Sequence, residues 1–367
     1  MRTPDVAYIQ WAKALPRARV NLARSGAPPC PASELHLTAA DLQTNIPTHD
    51  GYGPLLDAYA RRYRVARDEV YPVSGGTSFA NWLVFAAALA EATRSTEVIV
   101  ETPGYEPLIR IPEAFGVRMR RVPRRARDGW AIDLDRFRAL VTPQTRLAVV
   151  SDLHNPTGAR LEPGAIAAMA AALARVGGLL LVDEVYLECL FGPRTASSVH
   201  LGDNVVVTNS LTKAYGLDGL RAGVILGPAA FVAKAARAND LLANHNVAAG
   251  DLMALAALRH LPAIRRRAQA VLAPNLDRVR RFLAGEPRLR AEIPPGGTIV
   301  FPALPRGLDG DTFAAHLLER YDTLVVPGRF FEAPNHVRIS FCLDARALDR
   351  GLRNISRALD DLAPSAP

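Results

Sequence analysis

A lysine beyond a predicted strand is the most chemically suggestive residue of this sequence. Residues 205–207 are an apolar run that ends in polar Thr208 and Asn209, as a buried strand does on reaching the rim of a sheet, and Ser210-Leu211-Thr212-Lys213 follows. The chain carries 44 Lys and Arg residues, yet only Lys13, Lys213 and Lys234 are lysines. A guanidinium stays protonated near neutral pH and cannot form a Schiff base, whereas an amine can. Lys213 is therefore either a solvated loop residue or a nucleophile placed where only an amine serves, and its neighbours favour the second.

Other residues of chemical use stand at the ends of further predicted strands. Residues 48–55 read as a turn, with His49 and Asp50 in it, that feeds a helix over 55–64. Residues 70–73 lead into Ser74-Gly75-Gly76-Thr77 and a helix over 78–90. Such a turn presents backbone N–H groups at a helix N-terminus, where the dipole favours an anion, and the same residues also make a good cap. It is not a Walker loop, since no Lys follows Gly76. Tyr105 follows the strand at 98–100, placed either to lie flat on a heterocycle or to pack under a loop. Asn155-Pro156-Thr157-Gly158, after the strand at 147–150, is a turn by composition. Residues 179–182 run straight into Asp183-Glu184-Val185-Tyr186. A carboxylate after four aliphatics is costly to bury alone, so a cationic partner is implied, a salt bridge to an arginine being the plain alternative. Arg221 opens a strand over 221–227, and Arg338 lies inside one over 336–341 between apolar neighbours, where an unpaired guanidinium is costly.

The spacing of Ser210, Lys213 and Arg221 resembles the active-site lysine segment of the fold-type I pyridoxal-phosphate (PLP) enzymes, the aspartate aminotransferase-like class I/II family. Matching segments run from Gly51 to Arg338 in the same order. The resemblance implies that Lys213 holds PLP as a Schiff base and that Asp183 keeps the ring nitrogen protonated, with Tyr105 stacked on the ring. Asn155 and Tyr186 would hold its phenolic oxygen, and Gly75, Gly76, Thr77, Ser210 and Arg221 its phosphate. Tyr52 would reach the phosphate of a neighbouring subunit, so that a homodimer shares its sites. Arg338, with Asn155 and backbone near Gly26, would take the substrate carboxylate. Arg24 and Ser25 beside that glycine read as surface residues. The activity implied is transfer of an amino group from an L-amino acid to a 2-oxo acid. A lyase, decarboxylase, racemase or cyclising synthase uses the same constellation, and a non-catalytic sensing domain is the more distant alternative.

These residues need an α/β scaffold. Strands alternating with helices predict a mainly parallel sheet sandwiched by helices, with Tyr105, Asn155, Asp183 and Lys213 at its carboxyl edge. Residues 43–258 are expected to form this large domain. Residues 1–42 with 259–367 would form a smaller α+β domain, whose C-terminal part alternates short strands with a helix near 311–321. At 367 residues and 49% hydrophobic the chain suits a globular protein. Its net charge of +8 comes from scattered arginines. The clusters at 118–127 and 265–267 lack interleaved aromatics and read as solvated faces, not as a nucleic-acid surface. Cys30, Cys189 and Cys342 form no paired motif, so neither a disulfide framework nor a metal site is indicated. With no signal pattern and no continuous apolar span, a cytoplasmic protein is expected.

Overall fold

A computed structural model describes residues 3–48 and 51–362. Its centre is a seven-stranded sheet of β1 (Val70–Ser74), β2 (Glu97–Thr102), β3 (Arg118–Pro123), β4 (Thr145–Ser151), β5 (Leu179–Asp183), β6 (Val205–Ser210) and β7 (Ala222–Leu226). Their spatial order is β1-β7-β6-β5-β4-β2-β3. All neighbours are parallel except β7, which is antiparallel to both β1 and β6. The central strands are aliphatic on both faces because both are covered: Leu180, Leu181, Val182 and Val205 to Val207 are fully buried. The helix Gly76–Ala88 contacts β6 and β7 on one face, and Pro163–Ala174 lies against β4 and β5.

The reversal of β7 matters for chemistry. An antiparallel strand begins where its neighbours end, and the pairing of Ser210 with Gly223 and of Ser74 with Ala222 puts Arg221 on the carboxyl edge of the sheet. Arg221 precedes the strand instead of opening it, in a left-handed conformation with φ 51°. Gly223 is obligatory here, since a Cβ would lie 2.7 Å from the Gly76 carbonyl oxygen.

A second, smaller assembly packs beside this edge. Val337–Ser340 pairs antiparallel with Val326–Pro327 and Ile299–Val300, and Val20–Asn21 runs parallel to Thr323–Leu324. Residues 323–327 thus form two short strands that belong to different sheets. The helix Ala345–Asp361 places Leu348, Leu352, Ile355 and Leu359 on one buried face, as spacings of three and four require, and the Asp344 carboxylate caps it. The 38-residue helix Ala248–Gly285 spans the expected boundary at 258. Its residues up to Ile264 join the core beside the large sheet, and those from Ala268 onward join the core of the smaller assembly.

Helix limits differ from the sequence expectation by one or two residues. The helix expected over 78–90 begins at Gly76, because Gly75 at φ 149° supplies its cap. The helix expected over 55–64 is Gly53–Tyr63, with Pro54 in its first turn. His49 and Asp50, in the turn predicted before it, lie outside the described residues.

Candidate active site

The carboxyl edge carries a cavity of about 200 Å³. Of the residues singled out in the sequence, Thr77, Tyr105, Asn155, Asp183, Tyr186, Lys213 and Arg221 line it, joined by Tyr8, Ser25, Ser78, Asn81, Ser151 and Thr212. Gly75, Gly76, Ser210, Gly26 and Arg338 stand just behind this lining. Tyr52, half-buried at the start of its helix, is not part of it in its own chain.

Lys213 sits on the loop after β6. Its Nζ donates to the Ser25 hydroxyl at 3.1 Å. Desolvation, and then Arg338, lower its pKa below the ordinary lysine value, against the pull of Tyr8 and Asp218. Gly26 packs on the lysine stem, where a Cβ would be 3.5 Å from its Cδ.

Asp183 ends β5 and is 4% exposed. One carboxylate oxygen accepts from Asn81 Nδ2 at 2.9 Å and the other from the Val185 N–H at 3.1 Å. Asn81 is held in turn by Thr208, whose hydroxyl donates to its Oδ1 at 2.6 Å. No salt bridge reaches Asp183 among the described residues, so the arginine alternative is not what the chain built. Burial lifts its pKa to about 6. A buried carboxylate that faces a cavity with no salt-bridge partner among the described residues is what a protonated ring nitrogen would complete.

At the other end of the cavity the structure differs from the simplest reading of the glycine turn. The Gly75 and Gly76 N–H groups both donate to the Arg221 carbonyl at 2.7 Å, and Arg221 Nη2 donates back to the Gly75 carbonyl at 2.6 Å. They brace the turn and do not point into the cavity. The helix N-terminus presents Thr77 and Ser78 there instead. Thr77 Oγ1 donates to Ser210 Oγ at 2.9 Å.

Arg338 is 1% exposed. It donates to Asn155 Oδ1 and the Tyr8 hydroxyl, each at 2.9 Å, and to the Ala23 carbonyl at 3.3 Å. It has no carboxylate partner among the described residues. Because Asn155 Oδ1 is taken, its Nδ2 hydrogens remain for the cavity. Tyr8 reaches the site from the helix Ala7–Lys13, its ring 5.9 Å from Tyr105, edge to face.

Beneath the site lies a buried polar layer absent from the sequence reading. Glu101 accepts from Arg124 Nη1 at 2.9 Å and from the Ser151 N–H and hydroxyl at 2.8 and 2.5 Å. Arg124 is therefore no part of a solvated face, as the cluster at 118–127 was expected to be; it is 2% exposed. His154 Nε2 faces the Pro103 carbonyl at 2.9 Å, which only accepts, so Nε2 carries the proton and Nδ1 accepts from Thr157. Glu184 Oε1 accepts from the Ser198 N–H at 2.5 Å, while its Oε2 is buried with no partner among the described residues. Burial raises Glu184 to about 7.

The family model described as Aminotransferase class I and II matches residues 11–355. The chain belongs to this class I and II aminotransferase family. Its cofactor is pyridoxal 5'-phosphate, and the donor set fits that group: an amine, a buried carboxylate with no salt bridge among the described residues, a helix N-terminus and an arginine around one cavity. Capreomycidine synthase of Streptomyces vinaceus is 33% identical over 314 residues, covering 83% of this chain and 78% of that one. Arginine–pyruvate transaminase of Pseudomonas aeruginosa is 32% identical over 277 residues, covering 74% and 70%. The crystal structure of the PLP-dependent cyclase OrfR superposes with a TM-score of 0.88 at 27% identity, covering 99% and 98%. No helix of this aminotransferase-family protein, among the described residues, is long and apolar enough to cross a membrane. No cluster of potential metal ligands occurs among them either.

Tyr8, Ser25 and Asn81 were missed as site residues. Ser25, expected at the surface, is 8% exposed because the arm that bears it is pressed against the Lys213 loop. Asn81 did leave a signal. It is the polar residue in the middle of a helix apolar almost all round, and such a group must find a partner.

Proposed function

We propose that the protein is an aminotransferase that moves the amino group of an L-amino acid to a 2-oxo acid. The observation that carries this reading is one cavity with three complementary groups: Lys213, the buried Asp183 carboxylate and, just behind the lining, the buried Arg338 guanidinium, the last two with no salt bridge among the described residues. Bound pyridoxal phosphate supplies a protonated ring into which the electron pair of a broken Cα–H bond can spread.

In this reading Lys213 is the attachment residue and its Nζ accepts the proton from the substrate Cα, a task helped by its lowered pKa. Asp183 holds the ring nitrogen's proton, and Asn81 and the Val185 N–H keep its carboxylate aimed. Asn155 Nδ2 and the Tyr186 hydroxyl hold the phenolic oxygen. Arg221, Thr77 and Ser78 seat the phosphate, with Gly75, Gly76 and Ser210 bracing them. Arg338 grips the α-carboxylate through a bidentate pair and so fixes which Cα bond stands across the ring. The enzyme would act as a homodimer, Tyr52 of each chain completing the other's phosphate seat.

A cyclising synthase is the second reading, favoured by the likeness to capreomycidine synthase and to a structure named as a cyclase. One experiment separates the two. The loaded enzyme is mixed with single amino acids, arginine first because of the transaminase relative, with no 2-oxo acid present. Transamination yields one 2-oxo acid per site and a cofactor spectrum that stays converted until pyruvate is added. Continuous turnover with no 2-oxo acid formed rejects the aminotransferase in favour of the synthase.

A further inference from the structure

Ser25 lies on an extended arm that crosses the Lys213 loop and is fixed there by main-chain bonds. The Ala27 N–H donates to the Lys213 carbonyl at 2.7 Å, and the Cys30 N–H to the Gly216 carbonyl at 2.9 Å. The Thr298 hydroxyl donates to the Ser25 carbonyl at 3.0 Å. Gly216 makes the crossing feasible, since its φ is 67° and a Cβ would lie 2.1 Å from the Pro28 carbonyl oxygen. On this arm the Ser25 side chain faces the cavity. Its oxygen accepts from Lys213 Nζ at 3.1 Å, and Tyr186 lines the same cavity.

A neutral amine and an ammonium both carry N–H donors, so the Ser25 oxygen can accept from Nζ in either protonation state and leave the neutral amine's lone pair free. A lysine side chain otherwise has four rotatable bonds with which to wander. We propose that Ser25 is a positioning residue that anchors the Lys213 amine whenever it is free, turning its lone pair toward the substrate Cα. The inference rests on the assignment of Cα proton transfer to Lys213. Once Nζ has taken that proton, the same oxygen accepts from the ammonium. The ionisable groups that face Nζ from the packed elements are Tyr8, Asp183, Cys189, Asp218, Arg338 and Cys342, and among the described residues Nζ is hydrogen-bonded to Ser25 and to none of these.

The test uses the full chain freed of cofactor, trace-acetylated with acetic anhydride across a pH series, with the Lys213 peptide quantified. This gives the titration of the amine whatever the substrate is. Ser25→Ala is expected to move the midpoint down by about half a pH unit or more, because the ammonium loses an acceptor. In the loaded enzyme the same variant is expected to slow Cα-hydrogen exchange about tenfold with KM nearly unchanged, and Ser25→Thr, which keeps the hydroxyl, to restore both. A Ser25→Ala curve superimposable on wild type overturns the proposal. Equal losses in the alanine and threonine variants also overturn it, as the mark of an arm merely loosened. A shifted curve with no exchange in wild type supports the anchor and rejects the reaction assigned to Lys213.

Discussion

Arg338 donates to Asn155 at 2.9 Å, tying a strand of the small sheet to the turn after β4, yet no carboxylate answers its charge among the described residues. Removing the guanidinium leaves the cofactor's own contacts in place. Arg338→Ala is therefore expected to raise the amino-acid KM at least about 30-fold, a loss of roughly 2 to 5 kcal/mol, while absorbance shows the cofactor retained. An unchanged KM for every good substrate takes Arg338 out of the substrate site.

Arg124 and Glu101 form a fully buried pair whose carboxylate also holds Ser151. Truncating one partner strands the other charge in the interior. Arg124→Ala is expected to destabilise the protein by about 3 to 5 kcal/mol in denaturant unfolding. A loss below about 1 kcal/mol, the value for an exposed pair, would show that water reaches the site.

Glu184 is held by burial at about 7, above its ordinary 4.5. Folding then takes up a proton between those values, so the contribution of this carboxyl to stability is complete below about pH 4.5 and is lost as pH rises through about 7. In the cofactor-free protein, the Tm advantage of wild type over Glu184→Gln is expected to shrink between about pH 5 and about pH 8. Parallel Tm curves for the two proteins would show that Glu184 keeps an ordinary pKa.

The shared-site reading makes a quantitative prediction. Lys213→Ala and Tyr52→Ala proteins, each nearly inactive, are unfolded, mixed and refolded. Random pairing makes about half the dimers mixed, and each mixed dimer has one site with both groups intact, so activity is expected to recover to roughly a quarter of wild type. If mixing gives only the average of the parents, Tyr52 does not act across subunits.

What could be read from the sequence divides along a physical line. Lys213, Asp183, Asn155 and Tyr105 were legible because each follows an apolar run that can only be a buried strand, and strand ends on a parallel sheet converge. Arg338 was legible as a charge inside such a run. Tyr8 and Ser25 were not, because their place depends on an arm packing against segments far away in the chain. Arg124 was hidden among neighbouring arginines, and only its pairing with Glu101 on the adjacent strand sets it apart. The roles of Gly75 and Gly76 were open for a related reason. Their N–H groups had two possible acceptors, and the reversal of β7, which supplies the Arg221 carbonyl, is not written in local sequence.

The contact between Tyr8 and Arg338 spans 330 positions. Closing so long a loop carries an entropic cost before any contact rewards it, and such distant pairings form late. On the proposed assignment of the site, the sheet, Lys213 and the Arg221 end of the cavity that would seat the phosphate can form during synthesis while Arg338, which would receive the amino acid, is still missing. The nascent chain can therefore acquire a place for the cofactor before it acquires a place for the substrate.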